Sequence, residues 1–170
     1  MKLEEVLETA IGPALLDLDG QPKLASPEAV VMLLAIGLQE SRFEHRRQIG
    51  GPARGFWQFE CGGGVRGVMN HGMSRDHARK LCELRNVKFE AQAIYEALER
   101  DDVLAAGFAR LLLWTDRKSL PRIGDVDAAW DLYYRTWRPG KPHRSTWNAL
   151  YAQAVEAHGK WVLGKWVAKD

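Results

Sequence analysis

Apolar residues recur along this chain at the spacing of an α-helix, and no series of alternating apolar and polar runs predicts a large sheet. The clearest helix start is Ser26-Pro27-Glu28, which supplies a capping hydroxyl, a proline at the first helical position and a carboxylate beside the positive end of the helix dipole. A wide apolar stripe then predicts a helix from Pro27 to about Phe43. We therefore predict a mainly α fold.

Similar patterns predict further helices at residues 6–18, 74–83, 87–99, 103–115, 125–137 and 145–158, the first of them closed by a turn at Asp19-Gly20-Gln21-Pro22. The chain has 170 residues, of which 46% are apolar and 27% charged, and this composition is typical of one globular domain. We expect a single domain over residues 1–170, in which residues 141–170 form a C-terminal helix and tail.

Residues 50–72 interrupt the helical pattern with a cluster of glycines. These lie at positions 50, 51, 55, 62, 63, 64, 67 and 72. Glycine permits backbone conformations that other residues avoid, so we predict irregular backbone here, as a glycine-rich loop or a short β-hairpin around Gly55 to Phe59. A long loop of this kind within a helical domain is usually functional.

Glu40 is the carboxylate that local sequence singles out. It lies near the C-terminal end of the helix that starts at Pro27, where partial burial and the negative end of the helix dipole both disfavour ionisation. We expect its pKa to be raised, as a general acid at neutral pH requires. The alternative is a surface glutamate beside Arg42 and Arg47.

Two short motifs follow one another along the chain, and the first of them contains Glu40. Gln39-Glu40-Ser41-Arg42-Phe43 is followed by Ala53-Arg54-Gly55-Phe56-Trp57-Gln58-Phe59-Glu60. This order resembles the lysozyme-like lytic transglycosylase family, in which a helix-terminal Glu-Ser precedes a Gly-Leu-Met-Gln segment that lines the sugar cleft. The resemblance implies that Glu40 is the sole catalytic acid/base and that Ser41 and Gln58 are positioning groups that bind the substrate. It also implies that Phe56 and Trp57, with Gln58, line a cleft beside the catalytic helix.

A third segment, residues 128–140, is similar to the place where this family has a helix ending in Ala-Tyr-Asn-Ala-Gly, whose tyrosine approaches the acid. Tyr133 and Tyr134 are both candidates for that tyrosine, and we favour Tyr134; the Asn-Ala-Gly is absent. The resemblance covers about residues 26–140 and is nearest to divergent members from bacteriophages and prophages. It implies a lysozyme-like helical domain that cleaves peptidoglycan between N-acetylmuramic acid and N-acetylglucosamine.

The number of carboxylates at the site separates two mechanisms. A two-carboxylate hydrolase needs a second acid across the cleaved bond, about 5 to 9 Å from the first. Glu44 lies one helical turn from Glu40 and would point from the same face, whereas Glu60 could reach the cleft from another side. The resemblance implies that no second carboxylate is needed, because the sugar's own groups close a 1,6-anhydro product. Both mechanisms remain open at this stage.

Seven tryptophans are many for this length, and indole rings offer flat apolar surfaces to sugars. We predict that Trp57, within the glycine-rich segment, lines the cleft, and that Trp137 also contributes to substrate binding. Trp114 and Trp130 lie within helical periodicity and are expected to pack in the core.

Charge is unevenly distributed, since residues 40–88 hold ten basic and five acidic groups in a chain of net charge +2. Positive charge around residues 42–54 would suit peptidoglycan strands that carry peptide carboxylates, whereas a locally paired surface is the simpler interpretation. A helix-rich nucleic-acid binder is the alternative from a different class, and we predict no nucleic-acid partner. A non-catalytic virion or wall-binding protein is a further alternative.

No cofactor or metal is expected. Cys61, His71, His77 and Cys82 lie within one stretch but lack the spacing of zinc ligands, and the two cysteines are expected to remain thiols. Acidic residues in the first 19 positions predict no signal peptide, and no run is long enough to span a membrane. We expect synthesis in the bacterial cytoplasm, with action on the wall after release by lysis proteins or as part of a phage virion.

Overall fold

The structure is a computed structural model that describes residues 1–18 and 24–167, with side chains described as far as Gly164. The chain is mainly helical, as predicted. Its helices are α1 (Leu3–Val6), α2 (Gly12–Asp17), α3 (Pro27–Ser41), α4 (Arg66–Asn70), α5 (Arg75–Leu84), α6 (Ala91–Ala97), α7 (Asp102–Trp114), α8 (Val126–Trp137) and α9 (Arg144–Val167). Two π-helical turns, Leu7–Ile11 and Cys61–Val65, precede α2 and α4.

Several helix boundaries differ from those predicted. The first predicted helix begins earlier, at Leu3, and a π-helical turn divides it; its predicted closing turn, Asp19 to Pro22, lies outside the described residues. Only the middle of the helix predicted at residues 87–99 is helical, as α6. The last helix, α9, extends well beyond residue 158. Apolar periodicity located each of these helices but not its ends, which depend on capping contacts.

The start of α3 is confirmed, because Ser26 Oγ accepts a hydrogen bond of 3.2 Å from the Ala29 amide. Its end comes two residues before the predicted Phe43, because Arg42 and Phe43 both have a φ of 55° and turn the chain away. The Phe43 ring folds back onto Gly37, where a Cβ would overlap it. The chain therefore reverses sharply directly after Glu40 and Ser41.

The core is built around α3 and α7, whose side chains are buried along almost their whole length. The C-terminal helix α9 packs along α3, and α8 contacts both α7 and α9. One cluster of buried apolar residues extends from Val6 to Ala157. Burial on every side explains why α3 has no polar face, and it holds the C-terminal end of α3 in a fixed position.

The predicted hairpin is present but very short, because a single pair of residues, Arg54 and Phe59, closes it. Arg54 and Phe59 exchange two backbone hydrogen bonds of 2.9 and 2.8 Å, which close a turn over residues 55–58. Gly55 has a φ of 71° and lies so close to Leu98 that a Cβ would approach its carbonyl oxygen to 2.6 Å, so only glycine fits there.

The second half of the glycine-rich segment does not have the predicted irregular backbone. Residues Cys61–Val65 form a π-helical turn that continues into α4. Val65 and Val68 are fully buried and attach this segment to the core, which stabilises helical backbone despite the glycines. A Cβ at Gly64 would lie 2.7 Å from the Phe59 ring, so this glycine permits the hairpin and the helical segment to pack closely.

Candidate active site

Glu40 lies in the last turn of α3, and its carboxyl group is half-buried. Burial raises the pKa of Glu40 to about 7, although the Tyr133 hydroxyl and the positive charge of Arg42 both act to lower it. Tyr133 donates a hydrogen bond of 2.6 Å to Glu40 Oε1. At neutral pH a large share of the Glu40 population is therefore protonated, and this group can both donate and accept a proton.

Tyr133 is held by rings on several sides. Its ring stacks on Trp147 at 5.2 Å between centroids and 12° between planes, and it contacts Trp130 at 5.3 Å and Trp137 at 6.3 Å. Burial and the neighbouring Glu40 carboxyl raise the pKa of Tyr133 above its usual range. The phenol therefore stays protonated and acts as a fixed donor to Glu40.

This placement corrects the preference for Tyr134 as the tyrosine beside the acid. Tyr134 is 49% exposed and stacks on the outer side of Trp130, at 6.1 Å between centroids. Successive residues on a helix point about 100° apart, so the packing of α8 that turns Tyr133 inward turns Tyr134 outward.

Ser41 connects the end of α3 to the hairpin. It is buried, and its hydroxyl donates to the Phe56 carbonyl oxygen at 2.7 Å while it accepts from the Phe43 amide at 3.1 Å. Ser41 therefore positions the backbone on both sides of the chain reversal, and its hydroxyl is occupied by these contacts.

Phe56 and Trp57 do not line a cleft, which corrects that prediction. Their exposed fractions are 1% and 0%, and both rings pack edge-on against Phe43 at 5.5 and 5.6 Å. Trp57 Nε1 donates to the Leu33 carbonyl oxygen at 2.9 Å, so even its polar atom is satisfied within the core. These two aromatic residues attach the hairpin to α3, because that is where the apolar area of their rings can be removed from water.

Gln58, Glu60 and Trp137 do share an open surface. They line a groove of about 810 Å³ between the hairpin, the glycine-containing helical segment after it and the C-terminal ends of α7 and α8. Trp137 Nε1 donates to the Trp57 carbonyl oxygen at 2.9 Å, and Gln58 Nε2 donates to the Gly55 carbonyl oxygen at 2.9 Å. Glu40 does not line this groove.

The two candidate second carboxylates, Glu60 and Glu44, both lie on the surface of the protein. Glu60 is exposed at the start of the π-helical turn and lines the groove. Glu44 is exposed, with its carboxylate 3.9 Å from His45, and does not share a helix face with Glu40 because α3 ends at Ser41. The expectation of a common helix face was therefore wrong.

The basic segment at residues 42–54 is largely paired with acids. Arg46 binds Asp102 through two hydrogen bonds of 2.9 and 2.7 Å, and Arg47 and Arg54 both contact Glu99 at 3.1 Å. These contacts favour the interpretation of a locally paired surface over that of a positive patch for an anionic polymer.

Sequence reasoning assigned no role to residues 141–170, and the structure places part of α9 beside the site. Trp147 is fully buried against Tyr133, and Thr146 Oγ1 lies 3.1 Å from Gln39 Oε1, one residue before Glu40. A third contact joins Gln39 Nε2 to the His143 carbonyl oxygen at 3.2 Å. No local signal in residues 141–170 indicates these contacts, because they depend on α9 packing along α3.

Residues 1–18 and 24–167 contain no metal-binding cluster of side chains and no disulfide bond. No three His, Cys, Asp or Glu side chains there lie together as a metal site needs. Cys61 and Cys82 are both free thiols, and burial raises the pKa of Cys82 to about 12. In the same described ranges, no helix has the length and apolar character required to cross a membrane.

No protein-family model matches the chain, and no curated protein or solved structure matches it either. The resemblance to lytic transglycosylases therefore depends on the motif residues alone.

Proposed function

We propose that this protein cleaves the glycan strand of peptidoglycan as a lytic transglycosylase, with Glu40 as the general acid/base. The observation that carries the proposal is the half-buried Glu40 carboxyl at the end of α3, with a pKa of about 7 and a tyrosine hydroxyl 2.6 Å away. A carboxyl group with this pKa can give a proton and take one back within a single reaction at neutral pH. The motif order around Glu40 supports a sugar strand as the substrate.

In the proposed reaction, protonated Glu40 donates its proton to the glycosidic oxygen as the bond from that oxygen to the sugar C1 breaks. The 6-hydroxyl of the same sugar then bonds to C1, and its proton passes to the Glu40 carboxylate. The products are a shortened strand and a 1,6-anhydro end, and no water is consumed. Glu40 is protonated again at the end of the cycle.

Tyr133 determines which oxygen of Glu40 takes part. Its hydroxyl donates to Oε1, so Oε1 acts as an acceptor and the acidic proton of neutral Glu40 resides on Oε2. We therefore place the proton transfer at Oε2, with Tyr133 as a positioning residue. The rings around Tyr133 keep this arrangement rigid.

The test uses purified peptidoglycan sacculi and mass spectrometry of the fragments released. The wild-type protein should release fragments with 1,6-anhydro ends, Glu40→Gln should release none, and the control Glu44→Gln, which changes an exposed carboxylate nearby, should behave like the wild type. Equal release by Glu40→Gln and the wild type would exclude Glu40 from the mechanism.

Two other outcomes correspond to the alternative functions. Reducing ends in place of anhydro ends, together with loss of release in Glu60→Gln, would indicate a two-carboxylate hydrolase. Sedimentation with sacculi but no release by the wild type would indicate a wall-binding or virion protein. For the enzyme we propose peptidoglycan strands as the partner, with phage virion or lysis proteins providing delivery to the wall.

A further inference from the structure

The groove of about 810 Å³ beside Trp137 has no role in the proposed reaction at Glu40, which does not line it. Its walls come from the π-helical turn Cys61–Val65, from α4 and from the C-terminal ends of α7 and α8. We propose that it binds a stretch of the substrate strand remote from the cleaved bond, and that it recognises carboxylates on that strand through Arg66 and Arg138. This inference rests on the proposed function.

Glycines keep the groove open. A Cβ added at Gly62 would meet no atom within 4 Å, and one added at Gly63 or Gly67 would have its nearest neighbour at 3.8 or 3.9 Å. None of the three has a positive φ, so neither backbone conformation nor close packing requires glycine at these positions. Glycine weakens a helix, and three of them in one short helical segment are explained by the space that they leave for a ligand.

Two exposed arginines that line the groove, Arg66 and Arg138, form no ion pair within the described part of the chain. Among the described residues Arg66 has no ion pair, and Arg138 makes only a 3.4 Å hydrogen bond to the Arg135 carbonyl oxygen. Arg135 differs from them, because Asp116 pairs with it at 2.7 and 3.1 Å. Two guanidinium groups that line a groove without acidic partners suit carboxylate ligands.

The acidic residues that line the groove disfavour ligands with a high density of negative charge. Glu60 lies in the wall and Asp116 occupies Arg135, so closely spaced phosphates along a nucleic acid would meet negative charge as well as positive. A strand with isolated carboxylates brings fewer negative charges into the groove than a polyphosphate does, so Glu60 repels it less. A sugar strand with peptide carboxylates therefore fits this groove better than a polyphosphate does.

Trp137 connects the groove to the proposed catalytic group through Tyr133. Trp137 lines the groove, and its ring lies 6.3 Å from the ring of Tyr133, whose hydroxyl contacts Glu40. The hydrogen bond to the Trp57 carbonyl oxygen and the contact with Phe59 at 6.0 Å keep the indole in place. In the proposed complex, a strand bound in the groove contacts the exposed part of this indole.

The first test fills the groove without disturbing the fold. Gly62→Phe places a large side chain in the open space, and Gly159→Phe is the matched control, since a Cβ at Gly159 in α9 also meets nothing within 4 Å. We expect Gly62→Phe to raise KM for long glycan strands about tenfold or more, with a smaller effect on kcat, while Gly159→Phe matches the wild type. Equal kinetics for the two variants would overturn the proposal.

The second test addresses the carboxylates. Sacculi whose carboxyl groups have been converted to amides should bind the wild type about tenfold more weakly than untreated sacculi do, whereas Arg66→Gln with Arg138→Gln should bind both preparations equally. If amidation weakens the double variant as much as the wild type, these arginines do not recognise the carboxylates.

The two proposals fail separately. Lack of fragment release by the wild type would reject the proposed function, and sedimentation with sacculi would still measure what Gly62→Phe does to binding. Fragment release by the wild type that Gly62→Phe leaves unchanged would reject the groove as a binding site while the assignment of Glu40 stands.

Discussion

At Glu40, opposing influences act on a single carboxyl group. Burial favours the neutral form, whereas the Tyr133 hydrogen bond and the Arg42 charge favour the carboxylate, and burial has the larger effect. The resulting pKa of about 7 depends on all three. Removal of either stabilising group should therefore move the pKa further from that of an ordinary glutamate.

Tyr133→Phe tests this balance directly. The change removes the hydroxyl that donates to Glu40 Oε1, so the carboxylate loses stabilisation and the pKa of Glu40 should rise above 7. NMR titration of labelled glutamate side chains would measure the shift. If the protein is active, the alkaline limb of its pH–rate profile should move to higher pH by the same amount.

Tyr134→Phe is the control for this experiment, since it deletes a hydroxyl from the neighbouring, exposed tyrosine. It should leave the titration of Glu40 unchanged. A pKa that falls in Tyr133→Phe, or an equal shift in both variants, would contradict the hydrogen-bond geometry of the structure.

At the scale of elements, the position of Glu40 depends on how α3 ends. The chain reverses through Arg42 and Phe43, and the Phe43 ring occupies the space that Gly37 leaves open. Ser41 then fastens the hairpin to this reversal through the Phe56 carbonyl oxygen. Gly37, one turn before Glu40, thus makes room for the Phe43 ring.

Gly37→Ala and Gly159→Ala form a matched pair, because each changes a helical glycine to the better helix former. At Gly37 the new methyl group would overlap the Phe43 ring, so we expect a loss of about 1 to 3 kcal/mol in the free energy of unfolding. At Gly159 the space is open, and alanine should add about 0.5 to 1 kcal/mol. Urea denaturation of both variants would show the opposite signs.

The same sign for both substitutions would show that Phe43 does not pack on Gly37. Under the proposed function, Gly37→Ala should also lose peptidoglycan cleavage, since displacement of Phe43 moves the backbone next to Glu40. Gly159→Ala should cleave peptidoglycan as the wild type is proposed to do.

Across the whole molecule, the site depends on residues far apart in the sequence. Tyr133 from α8 reaches Glu40 from α3, and Trp147 from α9 stacks on Tyr133. These three helices meet in the same buried cluster, so the Glu40–Tyr133 pair is held by the core rather than by a loop. Such a buried carboxyl group affects the stability of the entire fold.

The fold should be more stable without the Glu40 charge at alkaline pH. Because the pKa of Glu40 is about 7 in the folded chain and near 4.5 when exposed, its contribution to stability is greatest below pH 4.5 and is lost as the pH rises to 7. Glu40→Gln, which resembles the neutral acid, should therefore exceed the wild type in unfolding free energy at pH 8 by on the order of 3 kcal/mol.

The advantage of Glu40→Gln should disappear at pH 4.5, where the wild-type carboxyl is already neutral in the folded chain. Thermal unfolding of both proteins at the two pH values measures this, with Glu44→Gln as the control for an exposed carboxylate. A stability difference that does not change with pH would mean that Glu40 is not buried as the structure describes.

Local sequence patterns were sufficient to predict the mainly α class, the start of α3, the short hairpin and the choice of Glu40 as the unusual carboxylate. Each of these follows from local chemistry: apolar spacing, a capping serine, a glycine at positive φ, and an acid at the end of an apolar helix. Local patterns are sufficient to predict a structural feature when the residues that produce it lie within a few positions of one another.

Tertiary structure alone decided that Tyr133 and not Tyr134 faces the acid, that Trp57 is buried, and that Glu99 and Asp102 neutralise the basic segment. In each case the partners lie far apart in sequence, and the free energy of burial or pairing depends on which surfaces meet. The sequence around a tryptophan in a glycine-rich segment does not indicate whether its ring packs on α3 or faces a sugar. Only the packing of α3, α8 and α9 against one another distinguishes these outcomes.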